Sequence, residues 1–272
     1  VGHKDGMKHI HEKSIVSIGD PVKRFSEDPV RSLRAIRFSN KLNFKIDKDI
    51  KEAIYEKGHL LSDISNARLF DEFCKIFLSG MAEKNFNKLS SYGLSKYLIS
   101  TDSERSEFTR NLIVESLRNT DKRLMNDQSI TPGFLIAALL WPGLIERSLS
   151  KGEINLRKFF RSMDYVLRNQ QKITAVPRKF QSYIKDIWVL QLKLHSRIGK
   201  QPYKTLKHPR FRAAYDLLLL REKAANEKQG LGKWWTDFQK NDENIKKALI
   251  DDLREKNIQE SPKIFGFSEE LR

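Results

Sequence analysis

After residue 18 this 272-residue chain almost never alternates polar and apolar residues, so it lacks the period-two pattern of a sheet with one buried face. Apolar residues return instead at three- and four-residue spacing. Asp47–Lys57 carries Ile50, Ala53 and Ile54. Ser65–Gly80 carries Leu69, Phe73, Ile76 and Phe77, with Gly80 as its C-cap. Asn85–Ile99 reads as a short helix and turn, and Thr101–Asp127 as a charged helix with Leu112, Ile113, Leu117, Leu124 and Met125 on one side. Thr131-Pro132 opens a run, Gly133–Leu140, that is apolar nearly all round and therefore buried; Trp141-Pro142 ends it. Leu156–Gln170 and Phe180–Ile198 are longer amphipathic helices. Pro209 starts another, whose Leu217, Leu218, Leu219 and Leu220 belong to a core. Ile15, Val16 and Ile18 make a short strand before the Gly19-Asp20-Pro21 turn. The expectation is an all-α protein of about ten helices joined by short loops, in an irregular multi-helix arrangement.

One helix start has unusual contents. In Arg24–Phe44, acceptors at Ser26, Glu27 and Asp28 precede Pro29, and proline suits a first helical position, where its missing N–H costs nothing. Asp28 is the natural N-cap. Val30, Leu33 and Ile36 then give an apolar stripe, with Arg31, Arg34 and Arg37 outside it. Asp28 and Arg31 are three residues apart, within reach of each other and of a shared ligand. One reading is a surface ion pair. The other is a hydrogen-bonding template: adenine and cytosine each show an amino donor beside a ring-nitrogen acceptor, which a carboxylate and an arginine match. Guanine and uracil present the reverse order and leave both side chains unpaired. Arg68, Glu72 and Lys75, at i, i+4 and i+7, read as a salt-bridged helix surface.

Charge points to a polyanionic partner. Lys and Arg number 51 against 35 Asp and Glu, a formal net charge of +16. The basic residues are spread along the chain rather than gathered on one amphipathic segment, which argues against a membrane surface. Between Lys200 and Arg212 five bases fall within thirteen residues with no acid among them: Lys200, Lys204, Lys207, Arg210 and Arg212. With Arg178 and Lys179 they are the candidates for RNA contact, and Tyr203 is available for stacking. A solvated basic face is the plainer alternative. Trp234 and Trp235 are core residues, one ring facing each way.

The single cysteine, Cys74, cannot form an intrachain disulfide and fits a reducing, cytoplasmic setting as a small core residue. No apolar run approaches the ~18 residues of a membrane span. His3, Asp5, His9 and His11 are too irregularly spaced to form a metal site. No Gly-Ser pair followed by a D-x-D on a strand occurs, nor a G-x-x-x-x-G-K, H-E-x-x-H or C-x-x-C pattern, and no residue is assigned a catalytic role. Asp251-Asp252 are adjacent, with no glycine-rich loop ahead of them.

The run R-F-S-E-D-P-V-R-S-L-R-A-I-R-F resembles motif D of the class II nucleotidyltransferases, the family of poly(A) polymerases and CCA-adding enzymes. Arg24, Phe25, Glu27, Asp28, Pro29, Arg31, Leu33, Arg34, Ala35, Arg37 and Phe38 all match R-[FY]-x-E-D-P-x-R-x-L-R-A-x-R-F, and Ser32 stands where many members carry an apolar residue. Arg68 to Lys75 resembles the motif E region, R-[LIF]-x-x-E-x-x-K, and Leu89 to Leu94 the L-x-x-Y-G-L step after it. Thr131 to Trp141 and His208 to Arg221 are similar to runs of the poly(A) polymerase branch. Upstream, only Gly2 and Asp5 match a G-G-x-x-D pattern.

The resemblance implies a division: 1–22 the end of a head domain or linker, 23–127 a neck that reads the nucleotide base, 128–239 an RNA-binding body, and 240–272 a tail. It implies base reading by Asp28 and Arg31, with Arg34 beside them and Arg24, Glu27, Arg37, Arg68 and Glu72 in support. The implied activity is addition of AMP from ATP to RNA 3′ ends, with Mg2+ held by a catalytic head that these residues lack. The partners would be ATP, RNA 3′ ends and that head, and the chain alone would be inactive. Two alternatives stay open: the same portion of a CCA-adding enzyme, since the template suits both A and C, and a stand-alone RNA-binding helical module.

Overall fold

The computed structural model describes residues 6–101, 106–150, 153–226 and 230–255. In chain order these form α1 (Gly6–His11), β1 (Ser14–Ile15), α2 (Pro21–Glu27), α3 (Val30–Leu42), β2 (Lys45–Ile46), α4 (Lys48–Lys57), a 3-10 turn (Gly58–Asp63), α5 (Asn66–Phe77) and α6 (Ala82–Ser91). A 3-10 turn (Ser95–Tyr97), α7 (Glu107–Met125), α8 (Pro132–Ser148), β3 (Leu149–Ser150), β4 (Glu153–Ile154), α9 (Leu156–Gln171) and α10 (Arg178–Lys193) follow. The chain continues with α11 (Gln201–Leu206), α12 (Phe211–Ala224), α13 (Leu231–Lys240) and α14 (Glu243–Glu255). The all-α expectation holds. The strands are pairs of two residues: β1 lies parallel to β2, Ile15 opposite Ile46, and β3 pairs antiparallel with β4.

Local cap chemistry sets several helix starts. Asp20, Asp47, Ser65 and Thr131 each accept a backbone N–H from the first turn of α2, α4, α5 and α8. Pro21 and Pro132 occupy first helical positions. Asp28 serves two helices. Its own N–H donates to the Arg24 carbonyl and ends α2, while its Oδ1 accepts from Val30 N at 3.3 Å and its carbonyl from Arg31 N at 3.1 Å. Asn43 closes α3 in the left-handed region, where Asn is tolerated.

Several expectations are corrected. Segment 21–27 is a helix in its own right, and α3 begins at Val30 rather than Pro29. α5 ends with Leu78 as C-cap, and Gly80, at φ +79°, lies beyond it. α8 runs through Pro142 to Ser148. Carbonyls beside that break find side-chain donors: Trp188 Nε1 on Ala137 O at 2.9 Å and Thr101 Oγ1 on Leu139 O at 2.7 Å. α10 stops at Lys193, short of Ile198. Leu219 is 37% exposed while Leu217, Leu218 and Leu220 are buried, as helical rotation requires of four consecutive residues. Both Trp234 and Trp235 are buried. Residues 243–255, within the segment 240–272, form a helix whose Ile250 and Leu253 sit in a core. His3, Asp5 and residues 256–272 lie outside the described residues.

The chain divides into two compact units. The first comprises the described residues up to Ser100 together with Leu117–Ile130 and Asn169–Val176. Its core takes Phe25, Val30, Leu33 and Ile36 from α2 and α3, Ile50 and Ile54 from α4, and Leu69, Phe73, Ile76 and Phe77 from α5. The second holds Thr101–Ser116, Thr131–Arg168 and the described residues from Pro177 on. There α10 packs against α8 and α12, and a cluster around Trp234, Trp235, Phe238, Phe211 and Leu218 ties α10, α12, α13 and α14 together.

Candidate functional site

In the first unit α3 and α5 lay two rows of charge side by side. Asp28 stands at the head of α3, with Arg31 and Arg34 one and two turns on. From α5, Arg68 Nη2 lies 2.9 Å from each oxygen of the Asp28 carboxylate. Arg31 Nε is 3.8 Å from Asp28 Oδ2, an ion pair too long for a hydrogen bond. One turn along, Arg34 Nη2 is 3.5 Å and Lys75 Nζ 3.0 Å from Glu72 Oε1. The ladder therefore runs Arg68–Asp28, then Arg34–Glu72–Lys75.

Glu72 is the outlier. It is 1% exposed, and its Oε2 has no hydrogen-bond partner among the described residues. The surface reading of Arg68, Glu72 and Lys75 is thus corrected: Arg68 and Lys75 are half-exposed, but the carboxylate between them is inside. The cross-helix partner of Arg68 is invisible to spacing because it lies forty residues away.

Other expected supporting residues sit elsewhere. Arg24 pairs with Glu27 at 3.6 Å on the last turn of α2. Arg37 turns its guanidinium over Phe38, 4.4 Å from the ring centroid, and its buried Nε has no hydrogen-bond partner among the described residues. Sequence reasoning missed a network that ties α3 to α6. Lys88 Nζ donates to Ser39 Oγ at 2.6 Å, Asn40 Nδ2 to Asn85 Oδ1 at 2.9 Å, and Asn85 Nδ2 to the Ile76 carbonyl at 2.7 Å. Burial, then nearby Lys51, lower the Lys88 pKa. The available signal was Ser39 and Asn40 on a helix face otherwise committed to the core.

Chemistry-bearing candidates reduce to structural roles. Asp47-Lys48-Asp49 has D-x-D spacing without a Gly-Ser pair ahead of it, and Asp47 Oδ2 caps α4 by accepting from Asp49 N at 3.1 Å. Burial, then Asp71, raise the Cys74 thiol to about 11, so it is no thiolate near neutral pH. Among the described residues no group of three or more His, Cys, Asp or Glu is placed to hold a metal ion. The family's Mg2+ therefore does not fit the residues described, and no step is assigned to it.

In the second unit Arg178 and Lys179 are exposed on the first turn of α10. Arg210 joins them, its guanidinium 4.8 Å from the Tyr183 ring. Lys200, Lys204 and Lys207 are exposed on and beside α11. One reading is corrected. Tyr203 stands edge-on to Phe238 at 5.3 Å, and burial and the Glu243 carboxylate, to which it hydrogen-bonds, raise its hydroxyl pKa; its ring is half-buried rather than open for stacking. Arg212 is held by Asp216 at 3.1 Å, an acid just past the acid-free run.

One unit thus presents paired charge along α3 and α5, and the other exposed basic residues on α10 and α11. Comparison with known proteins narrows this. Residues 43–101 match the family "Probable RNA and SrmB- binding site of polymerase A", and residues 151–263 match "Polymerase A arginine-rich C-terminus". The chain is 37% identical over 261 residues to poly(A) polymerase I of Salmonella typhi, covering 91% of this chain and 56% of that protein. It is 38% identical over 257 residues to poly(A) polymerase I of Haemophilus influenzae, covering 90% and 57%. A CCA-adding enzyme of Geobacillus sp. (strain WCH70) is 41% identical over 93 residues, covering 34% of this chain and 23% of the enzyme. A solved structure described as a tRNA-processing enzyme (apo form 2) shares the fold with a TM-score of 0.58 at 18% identity, covering 92% of this chain and 67% of that one. Over nine tenths of its length the chain is similar to bacterial poly(A) polymerase I, and it spans a little over half the length of the relatives it matches.

Proposed function

We propose that this chain is the nucleotide-selecting and RNA-gripping portion of a polymerase that adds AMP from ATP to RNA 3′ ends, in RNA processing and decay in the cytoplasm. The observation that carries this reading is the Asp28–Arg31 pair, with Arg68 bracing Asp28 from α5. Asp28 accepts from the adenine amino group and Arg31 donates to the ring nitrogen beside it. Arg34 lies one turn along, where Glu72 holds it. The neck is 23–127, the body 128–239 and the tail 240–272, with 1–22 leading from a head domain. That head would supply the Mg2+-holding carboxylates that the described residues do not provide. Arg178, Lys179, Lys200, Lys204, Lys207 and Arg210 grip the RNA backbone, with Arg212 able to join by leaving Asp216.

The template alone also suits CTP, so a CCA-adding role is the second reading, supported by the 41% identity to a CCA-adding enzyme over 93 residues. A labelled-nucleotide assay on the complete enzyme decides. Tail growth on any RNA with ATP alone supports the proposal. CTP-then-ATP addition to tRNA ends overturns it.

A further inference from the structure

α9 has an outer face that core packing does not explain. Phe159, Met163, Val166 and Leu167 are buried on its inner side. Outside them, Phe160, edge-on to Phe159 at 5.9 Å at the border of the core, is 47% exposed, and Tyr165, further round, is 40% exposed. At ~100° per residue these two rings flank a central strip formed by Arg157, Arg161 and Arg168, all exposed. Arg147, from the last turn of α8, lies against the Tyr165 ring with its guanidinium carbon 3.6 Å from the centroid. The acid on this face, Asp164, is already neutralised by Lys185 Nζ at 2.6 Å from its Oδ1. Arg157 and Arg161 have no ion-pair partner among the described residues.

Two exposed rings astride arginines match one kind of ligand. An acidic protein would neutralise the charge but leave the rings without a specific purpose. A duplex would meet the arginines with its phosphates and keep its bases stacked away from the rings. Single-stranded RNA supplies both parts, phosphates for the arginines and unstacked bases for the flat faces. We infer that the outer face of α9 is a second RNA-binding surface, on which Phe160 and the Arg147–Tyr165 pair stack bases and Arg157, Arg161 and Arg168 take the phosphates between them. It is separate from the lysines of α11 and rests on the reading of this chain as RNA-binding.

The test is equilibrium binding of the full chain to a fluorescein-labelled single-stranded oligoadenylate of ~20 nucleotides. Four proteins are compared: the unaltered chain, Phe160→Ala with Tyr165→Ala, Arg157→Ala with Arg161→Ala, and Lys204→Ala with Lys207→Ala. The double aromatic variant should lose about tenfold or more in affinity with helicity by circular dichroism unchanged. The double arginine variant should flatten the slope of log affinity against log salt by about 1 to 1.5. Ultraviolet crosslinking of the unaltered chain, read by peptide mass, should mark Phe160 or Tyr165, and this arm stands even if a variant does not fold. Aromatic variants within twofold of the unaltered chain, with crosslinks only on α10 to α12, overturn this surface while RNA binding itself stands. No binding by the unaltered chain overturns both.

Discussion

Arg68 Nη2 sits 2.9 Å from both carboxylate oxygens of Asp28, closing α5 onto the head of α3. Asp28 thus keeps one orientation, because Val30 N holds Oδ1 from below and Arg68 bridges both oxygens from the side. Arg68 is 43% exposed, so the pair contributes at most about 1 kcal/mol to folding. Its consequence lies in the aim of the acceptor.

Arg68→Ala should therefore leave the unfolding midpoint almost unmoved, a change below about 1 kcal/mol. In the complete enzyme it should raise KM for ATP and blur the preference for ATP over GTP, and Arg68→Lys should restore little, because a point charge does not bridge both oxygens. Nucleotide competition with and without the substitution measures this. Wild-type selectivity in Arg68→Ala would remove Arg68 from the site.

Arg31→Ala acts on the base edge itself. Losing one member of a two-point pair costs ~1–3 kcal/mol of discrimination. The ratio of kcat/KM for ATP over GTP should fall accordingly, with the melting curve unchanged. If the ratio holds, Asp28 and Arg31 are only an i,i+3 ion pair.

Glu72 poses the opposite balance. Its carboxylate is fully buried, yet its partners Arg34 and Lys75 are half-exposed and Oε2 has none among the described residues. An unsatisfied buried acceptor costs ~1–3 kcal/mol, comparable to what two screened ion pairs return. Glu72→Met, similar in volume, should be neutral to stabilising in urea denaturation, while activity of the complete enzyme falls. A large loss of stability would mean that Glu72 is there for the fold.

The parts that were legible in sequence are those decided within one helical turn. Asp47, Ser65 and Thr131 announce their helices because a cap bonds its own first turn. The Asp28–Arg31 neighbourhood follows from i,i+3 spacing alone. What stayed hidden depends on partners far along the chain. Pro142 does not stop α8, and the side-chain donors on the carbonyls either side of residue 138, Trp188 and Thr101, come from far along the chain. Glu72 reads as surface until α3 is laid over it. Tyr203 reads as an open ring until Phe238 covers its edge.

His195 should make stability sensitive to acid. Burial, then Arg221 and Arg197, lower its pKa from 6.5 to about 3. The unfolded chain binds the proton first, so this contribution is complete above about pH 6.5 and is lost as pH falls toward 3, with a slope of up to about 1.4 kcal/mol per unit. Urea midpoints of the parent and His195→Gln, compared from neutral pH to about pH 5, should diverge in slope, the variant being the flatter. Parallel curves would mean that His195 charges in the folded state without cost.

Gly58 follows α4 with ordinary helical φ, so alanine fits its backbone and, through the unfolded state alone, should stabilise by ~0.4–1 kcal/mol. Packing opposes this. A Cβ at position 58 would lie 2.7 Å from Leu94 Cδ2, and Leu94 is itself buried and cannot swing into solvent. Overpacking of this kind costs ~1–3 kcal/mol, so Gly58→Ala should lower stability by about 1 kcal/mol net. Trimming the obstacle should reverse the sign: Gly58→Ala with Leu94→Val should be more stable than Leu94→Val alone, because the new methyl then fills the space the valine vacates. A double-mutant cycle by urea denaturation measures both steps. Additive effects would show that Gly58 and Leu94 do not meet and that this glycine is replaceable.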